Sequence, residues 1–540
     1  MKLILTTCLS FFLTFLMASD PYPRNTALDV QKYVFRLELN DSTNRLSGEA
    51  AITILFKKPT SDFELDLINK RADGFGMTVA EVLLENRQLN FSHQGNRLRI
   101  TLPTAANPGQ TKTIVIRYAG IPGDGLVIGK NKFGDRSFFG DNWPDRGRNW
   151  VPCIDHPSDK ALVDFVIVAP QKYQVIASGR QIEETNLPKD QKITHWEERV
   201  PIAVKVMTIG VARFAVDQST VVDHVPQGIW VYPQNRDEGF YDFAVGAKIF
   251  EYFSQHIGPY AYEKLAHVQS KTRWGGLENA GNIFYTEGSV TGKNLHEGLI
   301  AHETAHQWFG NSVTENDWHH VWLSEGFATY FASLYFEKTY GRGKLVEELK
   351  EDLQQVVNFS KENRQPIVDT TITNINAVLS TNTYQKAGWV LHMLRREVGD
   401  DAFWKGIQAY YSIFRDSNAM TNDFRKVMED VSGKNLKPFF HQWLYQGGHP
   451  RLNVSWSFDQ KSRKVNLAIN SLHKESFNFP LDVLLKFPNG TVALKTLSIK
   501  QGNVDYSIAA DQKPAEIKLD PDCWLLFEAE MKERWSKRPL

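Results

Sequence analysis

Apolar and polar residues alternate along the first third of the chain. In "KYVFRLELN", Tyr33, Phe35, Leu37 and Leu39 fall on one side of an extended segment, with Lys32, Arg36, Glu38 and Asn40 on the other. A strand turns successive side chains to opposite faces, so a period of two predicts strands with one buried face. "AAITILF", "RLRITL", "KTIVIRYAG", "LVDFVIVAP" and "VMTIGVARFAV" repeat the pattern and predict a mostly antiparallel β domain from about residue 28 to 216. One Gly-, Asp- and Trp-rich stretch, "GDRSFFGDNWPDRGRNWVPCIDHPSDKA", is too long and too aromatic for a plain connection. Ordered loops of that kind often line sites.

From about 236 to 446 the period lengthens. "EGFYDFAVGAKIFEYFSQHIG", "SEGFATYFASLYFEKTYG" and "TYQKAGWVLHMLRREVG" carry apolar groups at steps of three and four and end in Gly, as helices do. Alternation returns from 450 to about 530 ("LNVSWSF", "KVNLAIN", "DVLLKF"), predicting a small β-sandwich-like domain. The expectation is a multidomain α+β chain. Its divisions are a leader (1–19), an N-terminal antiparallel β domain (20–216), a mainly helical domain (217–449) and a C-terminal β-sandwich-like domain (450–540).

Composition supports this division. A chain of 540 residues with 42% apolar and 12% aromatic content can fill several cores and is not of disordered type. Lys+Arg and Asp+Glu are equal at 62 each, which gives no electrostatic reason to expect nucleic acid or a membrane surface as partner. No partner protein is predicted either. The start, "MKLILTTCLSFFLTFLMASDPYPRN", has one Lys, an apolar run and small residues at Ala18 and Ser19. It predicts a signal peptide and a periplasmic or extracellular protein. The apolar run is barely long enough for a membrane anchor, so no integral membrane segment is expected in the mature chain. Beyond the leader only Cys153 and Cys523 remain, and their spacing leaves open whether they pair.

The candidate chemistry lies in "AHETAHQWFGNSVTENDWHHVWLSEGFATYF", residues 301–331. On a helix, His302 and His306 stand one turn apart on the same face. The expected helix starts at Asn294 as N-cap, with Glu297 three residues on, so that Leu295, Leu299, His302 and His306 form one stripe. Imidazoles on a buried face need a partner, and zinc takes two of them plus a carboxylate while leaving a position for water. Glu325, opening the next helix, is the expected third ligand, and Glu303 the general base. An HExxH match alone arises by chance in about one chain in forty of this composition, so its setting carries the inference. His319 and His320 are rival ligands by type, but adjacent side chains on one segment point apart.

The HExxH pattern, separated by 18 residues from the Glu in "WLSEGFA", resembles the zinc aminopeptidases of the aminopeptidase N family, peptidase family M1 of the gluzincin type. "RWGGLENAGNIFY" resembles the family's Gly-x-Met-Glu-Asn exopeptidase motif, with Leu277 in place of Met. "YQKAGWVLHMLR", "GPYAYEKL", "FFHQWLYQGGHP" and "WVPCIDHPSDKA" are also similar to family segments. The resemblance implies a thermolysin-like catalytic domain with one Zn2+ held by His302, His306 and Glu325. It implies Glu303 as base, Tyr384 as donor to the oxyanion, Glu278 as holder of the substrate α-ammonium, and Gly275, Gly276 and Asn279 as substrate-binding neighbours. Peptides with a free N-terminus would be the substrates, cut at the first peptide bond. The large C-terminal helical domain of many relatives is expected to be absent, because the chain stops at 540. One departure stands out. Family members add a Gln or Glu from the first domain as a second amine anchor, whereas residues 138–151 contain neither; Asp141, Asn142 or Asp145 is the expected substitute. From the residues alone, a metallo-endopeptidase and a catalytically silent secreted binding protein stay open.

Overall fold

The computed structural model describes residues 25–473 and 477–534, and the segment read as a signal peptide, 1–19, lies outside them. An eight-stranded sheet dominates the N-terminal region. Its spatial order is Arg180–Leu187, Gln191–Ala203, Lys160–Pro170, Leu28–Glu38, Leu46–Phe56, Thr111–Ile121, Gly76–Leu84 and Arg87–Gln88. Leu28–Glu38 sits at its centre, antiparallel to Leu46–Phe56 and parallel to Lys160–Pro170, and this is the sheet's one parallel pairing. Tyr33, Phe35, Leu37 and Leu39 are buried as their alternation predicts. Across the pairing Phe35 faces Phe165, their rings 5.7 Å apart.

A second, five-stranded sheet (Ala215–Val222, Val225–Val231, Leu265–Ser270, Asn282–Thr286, Gly276–Leu277 in spatial order) backs the helical region. Gly276–Leu277 lies at its edge, antiparallel to Asn282–Thr286. Helices α1 (Arg236–Phe243) and α2 (Val245–His256) cross this sheet, and α3 (Glu297–Ala305) and α4 (Trp322–Tyr340) follow. Then come α5 (Arg342–Phe359), α6 (Ala387–Val398), α7 (Asp400–Phe414), α8 (Thr421–Ser432) and α9 (Lys437–Leu444). None of the described helices is long and apolar enough to cross a membrane. The strands from Arg451 onward form a four-stranded and a three-stranded sheet. They dock on α6, where Nε2 of His392 meets the Cys523 carbonyl at 3.0 Å and its ring stacks on Trp524. Cys153 and Cys523 are both free thiols.

Polar contacts tie the β domain to the helical one. Nζ of Lys160 donates to the carbonyls of Asn311, Ser312 and Ser417 at 2.7–3.1 Å. Nζ of Lys205 lies 2.5 Å from Oε1 of Glu315, and both side chains are wholly buried. Burying two charges is tolerable only when they meet in good geometry, so this pair fixes the two surfaces in one register.

The start of α3 departs from expectation. The helix begins at Glu297, not Asn294, and Leu295 is 67% exposed, outside any stripe with the histidines. The cause is Asp242, whose carboxylate accepts the backbone N–H groups of Thr291, Gly292 and Asn294 at 2.5–2.8 Å. Wrapping that carboxylate puts Asn294 at φ +53°, a left-handed conformation that Asn tolerates. Glu297, expected to fold back as a cap, instead accepts the hydroxyls of Tyr335 and Tyr340 at 2.8 and 2.6 Å.

Candidate active site

His302 and His306 project from one face of the turn that ends α3, and Glu325 from the first turn of α4. Nε2 of His302 and Nε2 of His306 are 3.1 Å apart, and Oε2 of Glu325 is 3.5 Å from the first and 3.2 Å from the second. Ligands about 2.0–2.1 Å from a tetrahedral zinc stand roughly 3.3 Å from one another, so this triangle is the size of one face of a zinc site. His306 is also set in the right tautomer. Its Nδ1 lies 3.1 Å from the Phe309 carbonyl, which can only accept, so Nδ1 carries the proton and Nε2 offers its lone pair.

Electrostatics fit a cation as well. Burial alone would lower the His306 pKa, but Glu325 and Glu278 push it up to about 10. Burial opposes ionisation of Glu325, yet His306 and His302 hold its carboxyl below the usual range. The cluster thus demands positive charge at its centre, which a divalent ion supplies.

The cavity over this triangle has a volume of about 380 Å³, within the range of small-molecule sites. Glu303, Glu278, Gly275, Gly276 and Tyr384 line it together with the three candidate ligands. Glu303 is buried on α3 next to His302; burial raises its pKa well above the carboxylate norm, and Glu278 and Glu325 add to that. Gly276 belongs to the edge strand, and a Cβ there would lie 2.5 Å from Cγ and Cδ of Glu303. Glycine is the residue that allows this approach. Glu278 is buried just beyond that strand, and its Oε1 has no hydrogen-bond partner. Its backbone carbonyl is held by the side-chain amides of Gln307 and Asn311 at 3.2 and 2.5 Å. Tyr384 sits in a π-helical turn, Asn382–Lys386, with its ring stacked on His302 at 6.0 Å between centroids. Wider turns of this kind occur often at functional sites. Asn279 is fully buried and is not part of the cavity lining.

The rival histidines are engaged elsewhere. Nδ1 of His319 pairs with Asp317 at 2.8 Å and its Nε2 with the Ile372 carbonyl at 3.0 Å, while Nδ1 of His320 meets Thr421 at 2.7 Å.

The expected substitutes for the second amine anchor are likewise committed. Asp141 binds the Arg146 guanidinium and also accepts from Thr272 and the Arg273 backbone at 3.2 and 3.3 Å. Asn142 donates to the carbonyls of Val204 and Met207 and accepts from Nε1 of Trp150. Asp145 faces Arg148 at 3.4 Å. None of the three lines the cavity; Trp143, between them, does. The aromatic richness of that segment is the sequence signal that points to Trp143, and the carboxylates on either side of it obscure the signal. Trp274, Leu277, Leu299 and Leu379 complete the lining.

Comparison with known proteins agrees with this geometry. The Peptidase M1 N-terminal domain model matches residues 30–204 and the Peptidase family M1 domain model residues 241–443. Glutamyl aminopeptidase of Sus scrofa is 27% identical over 402 residues, which cover 71% of this chain and 43% of that protein. Glutamyl aminopeptidase of Bos taurus is 30% identical over 333 residues (58% of this chain, 34% of the relative). "Probable aminopeptidase 2" of Sulfurisphaera tokodaii is 27% identical over 398 residues (69% and 49%). The chain therefore spans less than half the length of these curated relatives. The crystal structure of an M1 zinc metallopeptidase from Deinococcus radiodurans, a mutant bound to a Tyr-Ser-Ala substrate, shares the fold. It has a TM-score of 0.67 at 24% identity and covers 78% of this chain and 94% of its own. With both family models matched in chain order, together over more than half of its residues, the chain belongs to peptidase family M1.

Proposed function

We propose that this protein is a zinc-dependent aminopeptidase that hydrolyses the first peptide bond of peptides with a free N-terminus. The observation that carries the reading is Glu278: a buried carboxylate, one oxygen unpartnered, lining the same cavity as the His302–His306–Glu325 cluster. An unpaired buried anion is costly, and an α-ammonium arriving in that cavity removes the cost. The same contact makes the enzyme count from the chain end.

His302, His306 and Glu325 would hold one zinc ion, which supplies a water of lowered pKa and a Lewis acid for the scissile carbonyl. Glu303 takes the proton from the attacking water and returns it to the leaving amine. The phenol of Tyr384 donates to the oxygen on which negative charge develops. The edge strand Gly276–Leu277 and Gly275 just before it offer backbone groups to an extended substrate. The leader-like residues 1–19 support an exported enzyme, periplasmic or extracellular. From the relatives' names, the aminopeptidase activity carries over to this proposal. The glutamyl preference does not, because no Lys or Arg is among the described residues that line the cavity.

The test uses matched peptides with free and acetylated N-termini, with and without chelator. An aminopeptidase cleaves only the free peptide and stops when metal is removed. Equal cleavage of both would make it an endopeptidase, and no cleavage by zinc-loaded protein would make it a binding protein. Glu303→Gln should retain zinc and lose about 10²–10⁴-fold in kcat.

A further inference from the structure

The residues left over from metal binding and acid–base work share one character. Trp143, Trp274, Leu277, Leu299 and Leu379 are all apolar, and they line the cavity beside three carboxylates, Glu278, Glu303 and Glu325. Building on the aminopeptidase reading, we infer that the cavity selects peptides whose N-terminal residue is large and apolar or aromatic and rejects acidic ones. Trp143 of the β domain is the specificity-determining wall.

Trp143 is placed for this by contacts around its ring. Its indole packs edge-on against Trp318, centroids 5.4 Å apart, and Nζ of Lys205 lies 5.2 Å from its ring centre. Lys205 contacts Trp318 in the same way at 5.7 Å and is itself fixed by Glu315. A buried ion pair across the domain boundary thus clamps two tryptophans, and one of them faces the substrate cavity. A wall held on a rigid frame discriminates by shape because it does not retreat from a poor fit.

The same contacts remove positive charge from the site. Lys205 touches the wall but is buried, neutralised by Glu315 and absent from the cavity lining. Arg273, beside Trp274 in sequence, is half exposed and bound to Asp124, with Asp141 4.0 Å away. An acidic side chain entering the cavity would find no Lys or Arg among the described residues that line it and would lie beside the Glu278 carboxylate, whereas Leu, Phe or Trp would exchange water for indole and leucine surface.

The test is a panel of Ala, Leu, Phe, Glu and Lys aminoacyl fluorogenic amides on zinc-loaded wild-type enzyme, repeated on Trp143→Ala and the milder Trp143→Leu. Phe and Leu amides should exceed the Glu amide by about 100-fold or more in kcat/KM, a range that a pocket reaches when a mismatched group is left unpaired. Both variants should lower the Phe-to-Ala ratio of kcat/KM, by about tenfold in Trp143→Ala. Glu303→Gln adds a binding readout: by calorimetry, Phe-Ala-Ala should bind at least about ten times more tightly than Glu-Ala-Ala. A Glu amide turned over as well as Phe, equal tripeptide affinities, or a Phe-to-Ala ratio unchanged in both variants would overturn the inference. If no amide is cleaved, the aminopeptidase reading fails instead, and the calorimetric comparison still decides the side-chain preference.

Discussion

Gly276 on the edge strand and Glu303 on α3 are in contact where a side chain on Gly276 would not fit, since a Cβ there would lie 2.5 Å from Cγ and Cδ of the carboxylate arm. Gly276→Ala must therefore turn Glu303 away or push the strand back. None of the three candidate metal ligands supplies any of the three atoms nearest to that Cβ. The expected result is a loss of about 10²-fold or more in kcat, as for a displaced general base, with zinc content and melting temperature close to wild type. Metal analysis beside steady-state kinetics checks it, and an active Gly276→Ala enzyme would detach Glu303 from the chemistry.

The ligand triangle makes a separate prediction. His306 reaches the centre from behind Phe309 and Ser324, and its ring is almost wholly buried. Removing it takes away the one donor shared by both candidate ligand groups, His302–His306–Glu325 and Glu278–Glu303–His306. Wild-type protein should carry one zinc per chain, and free zinc at about 1,000-fold over Kd should stabilise it by about 4 kcal/mol. His306→Ala should retain little zinc after dialysis and show no thermal shift when zinc is added back. A full complement of zinc in His306→Ala would place the metal elsewhere.

Residues whose partners are near in sequence are legible from the sequence itself. The burial of Tyr33, Phe35 and Leu37 follows from strand geometry alone, and the approach of His302 to His306 follows from helix geometry. Glu325 needs only the expectation that a helix opens at "WLSEG". What escapes depends on distant partners. Asn294 reads as a helix cap until Asp242, 52 residues earlier, gathers the backbone N–H groups of that turn. The loop that carries Trp143 reads as site-lining, but nothing singles out this indole until Lys205 and Glu315, 110 residues apart from each other, come together and clamp it. No local period encodes such meetings, and the family pattern favours the carboxylates on either side of Trp143 over the indole itself.

The Lys205–Glu315 pair allows a stability prediction. Each charge is buried, so removing one leaves the other uncompensated. Lys205→Met and Glu315→Leu should each cost about 3–5 kcal/mol, whereas the double variant should be near neutral or far less destabilised than the sum. Denaturant unfolding of the four proteins measures the coupling. Additive losses would show that the pair contributes packing rather than charge compensation.

His267 supplies a pH prediction away from the His302–His306–Glu325 cluster. It lies on the strand Leu265–Ser270, wholly buried, with Nδ1 2.9 Å from the Tyr285 hydroxyl and Nε2 without a partner. Gly246 of α2 packs against that nitrogen closely enough that a Cβ there would collide with it. Burial favours the neutral ring and lowers the pKa to about 4. In the unfolded chain histidine titrates near ~6.5, so the unfolded state takes up a proton first as pH falls. The stability this group contributes is intact above the unfolded value and is lost as pH drops toward the folded one, by about 3 kcal/mol at most. His267→Phe keeps the ring and removes the proton site. It should be less stable than wild type at neutral pH, where Tyr285 loses its partner, yet lose less stability between about pH 6.5 and 4. Other titrating groups, including His302, His306 and Glu325, act equally in both proteins, so the difference between the two profiles isolates His267. Parallel profiles across that interval would mean that the ring is protonated within the fold.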